Sequence, residues 1–116
     1  MAPTFVFKDS KLLLVTGTPG GSRIPNIVLQ VILNVVDHGM SVAEAVAAPR
    51  IHHQWLPDEV FVEREFPQAA MRALQMRGHK VTPVPPPGSA NSIMVKRRGP
   101  LGAADARTRG ALAAGY

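Results

Sequence analysis

The apolar run Leu12 to Val15 leads into Pro19-Gly20-Gly21-Ser22, and a long apolar-periodic segment begins at Ile24. A chain that passes from a strand to a helix through two successive glycines gains backbone conformations closed to other residues. Neighbouring N–H groups in such a corner can turn toward one point, where the positive end of the helix dipole adds to their field. The corner suits an oxyanion or a bound anion. The plain alternative is a tight turn that uses glycine because the chain must bend sharply there. The Gly-Lys-Ser/Thr ending of a phosphate-binding loop is not present, and Arg23 does not stand in that lysine's place, which counts against nucleotide binding.

The elements on either side follow from pattern. Phe5-Val6-Phe7 and Leu12-Leu13-Leu14-Val15, separated by Lys8-Asp9-Ser10-Lys11, read as two strands joined by a polar turn. From Ile24 the residues Ile27, Val28, Val31, Ile32 and Val35 keep helical spacing to about His38, while Leu29, Leu33 and Val36 widen the apolar stripe so far that much of the circumference calls for cover. Pro25 sits in the first turn, and Gly39 fits the left-handed stop. Ser41-Val42-Ala43-Glu44 is a capping box for a short second helix that Pro49 ends. Arg50 to Leu56 reads as extended or irregular, Val60-Phe61-Val62 as a short strand, and Phe66-Pro67 as the opening of a third helix to about Arg77, with Ala70, Met71 and Leu74 on one face. Pro85-Pro86-Pro87-Gly88 makes a stiff loop before Ser92 to Val95 and Leu101 to Ala104, two closing strands around a turn at Lys96 to Pro100. Strands, then helices, then strands predict an α+β layer arrangement rather than a doubly wound parallel sheet.

A length of 116 residues is enough for one domain with its own core, residues 1–116. The charge of +5 comes from basic residues spread thinly except at Lys96-Arg97-Arg98 and Arg107/Arg109, a pattern of solvated surface. Without interleaved aromatics or a groove-reading motif, that cluster predicts no nucleic-acid partner. The absence of cysteine excludes disulfides, thiolate nucleophiles and Cys-based zinc sites. No segment approaches the ~20 apolar residues of a bilayer span, and Met1 to Lys8 shows no export leader, so no membrane partner is expected. His52 and His53, adjacent on an extended segment, point to opposite sides and cannot both reach one metal, and His38 and His79 are isolated. Structural histidines, no metal and no cofactor are the expectation. Trp55 beside Leu56 and Pro57 reads as an anchor packing the irregular segment onto the core.

Leu14-Val15-Thr16-Gly17-Thr18-Pro19-Gly20-Gly21-Ser22-Arg23-Ile24, followed in order by Ala47-Ala48-Pro49-Arg50, His52-His53-Gln54-Trp55-Leu56-Pro57-Asp58, Gly78-His79-Lys80-Val81, Ser92-Ile93-Met94-Val95, Gly102-Ala103-Ala104-Asp105 and Ala114-Gly115-Tyr116, closely resembles the carboxyl-terminal part of γ-glutamyltranspeptidases. These are N-terminal nucleophile hydrolases. The resemblance covers essentially the whole chain. It implies part of a four-layer αββα sandwich, with antiparallel strands and about three helices, from the distal portion of a γ-glutamyltransferase small subunit. In that family a threonine freed by self-cleavage attacks the γ-glutamyl carbonyl with its own amine as base, and water or an acceptor amine then takes the acyl group. The resemblance assigns the oxyanion hole, and with it catalytic and substrate-binding roles, to Gly20 and Gly21.

The departures bear on activity. The family nucleophile lies in a Thr-Thr-His type segment, which these 116 residues do not contain. The paired serines that grip the substrate carboxylate fall before the position matching Met1, and Ala106 stands where the family has proline. Thr4, Thr16 and Thr18 offer no substitute, since an N-terminal nucleophile needs the free amine on its own residue. The expectation is therefore a fragment that supplies the oxyanion loop for transfer to water, amino acids or peptides and is inactive by itself. Its partners would be γ-glutamyl compounds such as glutathione, the upstream small-subunit segment and the large subunit. The competing expectation is a non-catalytic remnant or interaction module that associates with itself or with another subunit. A periplasmic or extracellular location is implied by the resemblance alone.

Overall fold

The computed structural model describes residues 3–86 and 88–114. Pro87 of the proline loop and Gly115-Tyr116 of the terminal motif lie outside the described residues, as do Met1 and Ala2. The chain groups into two compact units, residues 1–48 with 88–116, and residues 49–87.

The first unit is built on a four-stranded antiparallel sheet. The strands β1 (Thr4–Lys8) and β2 (Lys11–Gly17) form the expected hairpin. Strand β6 (Asn91–Lys96) pairs with β2, and β7 (Gly99–Ala103) pairs with β6, giving the order β1-β2-β6-β7. The exposed Lys96-Arg97-Arg98 lies at the β6–β7 turn, where the charge is solvated as expected. One sheet face carries Leu14, Thr16, Ser92 and Met94, all buried. The alternation continues across strands because Leu14 sits opposite Met94 and Thr16 opposite Ser92. The hydroxyls of that second pair, sealed from water, bond to each other at 2.8 Å.

The buried core combines that face with helix α1 (Ile24–Val36) and helix α2 (Val42–Ala47). From α1 it takes Ile27, Val31 and Val35, and from α2 Val42, Ala45 and Val46. Each of the isoleucine and valine side chains is worth roughly 1.5–3 kcal/mol of burial. The capping box at α2 is complete: the Ser41 hydroxyl accepts the Glu44 N–H at 3.2 Å, and the Glu44 carboxylate accepts the Ser41 N–H at 2.8 Å. The outer stripe of α1, Leu29, Leu33 and Val36, stays exposed. So do Phe5 and Ile93, which flank the half-buried Val15 across the other sheet face, with Phe5 57% and Ile93 47% accessible.

Irregular chain in this unit is held by one buried carboxylate. Asp105, fully buried, accepts the Ala90 N–H at 2.7 Å and the Arg107 N–H at 3.0 Å, and pairs with the Arg107 guanidinium at 3.1 Å. The Asp105 N–H donates to Asn91 at 3.2 Å. Arg107 then reaches the carbonyls of Val46 (2.9 Å) and Ala48 (3.0 Å), so a cation satisfies orphan acceptors at the negative end of α2.

The second unit holds β3 (Ile51–His52), β4 (Val60–Glu63), helix α3 (Gln68–Met76) and β5 (Val81–Val84), with sheet order β3-β4-β5. Here β4 and β5 pair in parallel, a departure from an all-antiparallel arrangement. The reason is the intervening helix, which returns the chain to the end from which it started, as parallel pairing requires. Pro83, without an N–H to give, is accommodated because β5 is an edge strand. Ala70, Met71 and Leu74 are the half-buried face of α3, as their spacing predicts.

His52 is buried and stacks on Phe61, its partner across the ladder, with ring centroids 6.5 Å apart, while His53 faces solvent. Trp55 is 76% exposed and does not anchor this segment. The loop supports itself instead: His53 accepts the Trp55 N–H at 3.3 Å, Gln54 donates to the Leu56 carbonyl at 3.1 Å, and Trp55, at φ 74°, turns outward. No helix among the described residues is long and apolar enough to cross a membrane.

Asp105→Ala strands three donors in a buried site and is expected to cost about 3 kcal/mol, measured as the urea midpoint, with exposed Arg109→Ala as a neutral control. The second unit is expected to weaken in acid. The Thr82 hydroxyl, and after it the Lys80 ammonium, hold the Glu59 carboxyl below its ordinary 4.5. A lowered folded value gives stability that is complete above 4.5 and lost as pH falls through the lower one. Glu59→Gln should flatten that acid limb in denaturant titrations across the range.

Candidate functional site

The chain leaves β2 at Gly17, buries Thr18, and emerges at Pro19, Gly20 and Gly21, all exposed. Gly20 has φ 151° and ψ 9°, and Gly21 has φ 57°, a pair that only glycine adopts without strain. One turn of 3-10 helix, Gly21–Arg23, then opens α1, with Pro25 in the first turn, where it removes an N–H that would have no partner.

Both glycine carbonyls are engaged by the helix start: Gly20 accepts the Arg23 N–H at 3.1 Å, and Gly21 accepts the Ile24 N–H. Among the described residues, neither the Gly20 N–H nor the Gly21 N–H donates to a protein acceptor. Two consecutive amides thus stand exposed at the positive end of a thirteen-residue helix. The bond to the Gly20 carbonyl also fixes the Gly21 N–H, because both belong to one rigid peptide plane.

Behind the corner lies the segment entering β6. Thr18 Oγ1 donates to the Pro19 carbonyl at 2.6 Å and accepts the Ser89 N–H at 3.0 Å. Gly88, at φ 65°, is pressed so closely that a Cβ there would lie 2.5 Å from the Pro19 oxygen and 2.7 Å from Thr18 Oγ1. The next residues, Ala90 and Asn91, are those tied to Asp105. A path of hydrogen bonds, joined by the backbone link from Ser89 to Ala90, therefore runs from the corner through Asp105 to the end of α2.

Gly20 and Gly21 are adjacent and accessible as their sequence predicts, while Thr16 and Thr18 are buried with engaged hydroxyls. A hollow of about 540 Å³ lies along Val15, Gly17, Ile93 and Gly102 on the sheet and does not include the corner. Gly88, Ser89, Asp105 and Arg107 escape sequence reasoning. The only signals were a glycine after a proline run and an Asp-x-Arg spacing, and both fit an ordinary loop equally well.

The model of the gamma-glutamyltranspeptidase family matches residues 1–115. The chain belongs to that family. It is 52% identical over 117 residues to the glutathione hydrolase proenzyme of Escherichia coli, covering all of this chain and 20% of that one. Among solved structures it is similar to Helicobacter pylori gamma-glutamyltranspeptidase, with 44% identity and a TM-score of 0.86 over 93% of this chain and 61% of that one. Cephalosporin acylase from Bacillus halodurans is also similar, at 31% identity and a TM-score of 0.87, over 98% of this chain and 22% of that one. The chain thus spans about a fifth of that curated relative, as a carboxyl-terminal portion. Its fold is the α+β fold of the N-terminal nucleophile hydrolases among γ-glutamyltranspeptidases.

Gly88→Ala is expected to displace Pro19 and lower stability by about 1–3 kcal/mol, the usual cost of overpacking. Gly39→Ala, also at positive φ but with no atom near its Cβ, should cost less. Thermal unfolding of the two variants side by side is the check.

Proposed function

We propose that this chain supplies the oxyanion corner of a γ-glutamyl transferase or hydrolase, with Gly20 and Gly21 as its donors. The observation that carries the reading is the pair of adjacent exposed amides at the start of α1 whose carbonyl ends are already bonded. In acyl transfer a threonine oxygen adds to the γ-glutamyl carbonyl carbon, the C=O π pair moves onto oxygen, and the threonine proton passes to the base. The Gly20 and Gly21 N–H groups receive that oxyanion. Collapse expels the amine with the proton, leaving an acyl-enzyme that water or an acceptor amine resolves. Donors held in place before charge develops can each be worth about 3–4 kcal/mol of barrier.

The threonine, the groups that hold the substrate's α-carboxylate and the remaining walls of the site come from the rest of the small subunit and from the large subunit in this reading. Glutathione is the representative substrate. Residues 1–116 alone should turn over no γ-glutamyl anilide. The exposed Phe5 and Ile93, on either side of the half-buried Val15, support a second role, association through that face with the rest of the enzyme or, in the remnant reading, with another copy.

The decisive protein is a chimera in which this chain replaces the matching carboxyl-terminal segment of the Escherichia coli proenzyme. It is expected to self-cleave and to hydrolyse a chromogenic γ-glutamyl anilide. Gly20→Ala and Gly21→Ala, each forcing an L side chain into a glycine conformation, should lower kcat by about 10²-fold or more with little change in KM. Unchanged kcat in both variants would remove Gly20 and Gly21 from the reaction.

A further inference from the structure

We infer that Thr18 is a positioning residue whose buried hydroxyl, by holding the Pro19 carbonyl, aims the Gly20 N–H at the developing oxyanion. The inference rests on the reading of Gly20 and Gly21 as oxyanion donors and adds to it the side chain that sets one of them.

The Pro19 carbonyl and the Gly20 N–H are opposite ends of a single planar unit, so the direction of one dictates the direction of the other. That plane is otherwise the softest joint in the corner. Its torsions are the ψ of Pro19, which the proline ring leaves free, and the φ of Gly20, which has no Cβ to restrict it. The following plane is anchored by a backbone bond, Arg23 N–H to Gly20 O at 3.1 Å. Among the described residues, the Pro19–Gly20 plane has Thr18 Oγ1 as its hydrogen-bonding anchor, at 2.6 Å from the Pro19 oxygen.

The anchor is itself constrained. Thr18 is fully buried, so no water competes for its proton. Ser89 N–H occupies one lone pair at 3.0 Å, which settles the hydroxyl as acceptor on that side and donor to Pro19 on the other. Gly88 packs against both atoms of the bond, where a Cβ would lie 2.5 Å from the Pro19 oxygen and 2.7 Å from Oγ1. A donor on the carbonyl also polarises the amide and strengthens its N–H as a donor. Orientation and strength therefore come from the same hydroxyl, which never touches substrate.

The test uses the self-cleaved chimera with Thr18→Val, which keeps shape and loses the hydroxyl, Thr18→Ser, which keeps the hydroxyl, and Gly20→Ala. The readouts are kcat and KM for the γ-glutamyl anilide, and the affinity of a glutamate analogue with boron in place of the γ-carbonyl carbon, which forms a tetrahedral adduct with the nucleophile. Thr18→Val is expected to lower kcat and boronate affinity together by about tenfold or more, less than the loss of a whole donor, with KM within about twofold. Thr18→Ser should restore both. If Thr18→Val keeps wild-type values while Gly20→Ala loses them, the corner reading stands and the Thr18 role is overturned. If Gly20→Ala also keeps them, the corner reading falls first. Equal losses in the valine and serine variants would mark a packing effect and overturn the inference. Should Thr18→Val fail to mature, Thr18→Ser decides: values within about twofold of wild type support the hydroxyl role, and a tenfold loss overturns it.

Discussion

A carboxylate sealed from solvent organises the irregular half of the larger unit. Asp105 holds three donors, one from the segment entering β6, one from its own loop and one from Arg107, which carries the connection on to the last carbonyls of α2. A buried charge is tolerable only when paired and hydrogen-bonded, so the backbone around it is confined to the few arrangements that satisfy it. Ala90 and Asn91 are fixed in this way, and with them Gly88 and Ser89, the residues that back the glycine corner. The corner is thus rigid because of charges well removed from it in sequence.

That rigidity is what acyl-transfer chemistry needs from an oxyanion site. Donors that must reorient as charge develops stabilise the transition state less than donors already in place. Both peptide planes of the corner are tethered at their carbonyl ends, one by a backbone amide and one by a hydroxyl, leaving the amide ends outward. What the corner offers is backbone dipoles at the start of α1, which is the basis of the role proposed for it.

Most of the elements were legible in the sequence because their signals are local. The Ser41–Glu44 box, the Pro25 start, the strand alternation and the stripe Ile27, Val31, Val35 all appear where spacing puts them. The glycine corner was legible for the same reason. Its supports were not, since Gly88 and Asp105 act through partners distant in sequence that no period or short motif encodes. The parallel pairing of β4 with β5 was hidden because strand direction depends on how α3 returns the chain. Trp55 misled because an aromatic beside leucine and proline looks like an anchor, whereas local hydrogen bonds turn it outward.

The larger unit is discontinuous in sequence, for the chain leaves it after Ala48 and re-enters at Gly88. Strands β6 and β7 therefore meet β2 only after residues 49–87 have been made, and until then half of the sheet has no partner. Closing so long an excursion costs chain entropy that grows slowly with its length. An insert that has already collapsed into its own sheet presents the remaining chain with a shorter effective loop. The connectivity thus sets an order of synthesis: residues 49–87 are made before the two strands that join β1 and β2 in the sheet behind the corner.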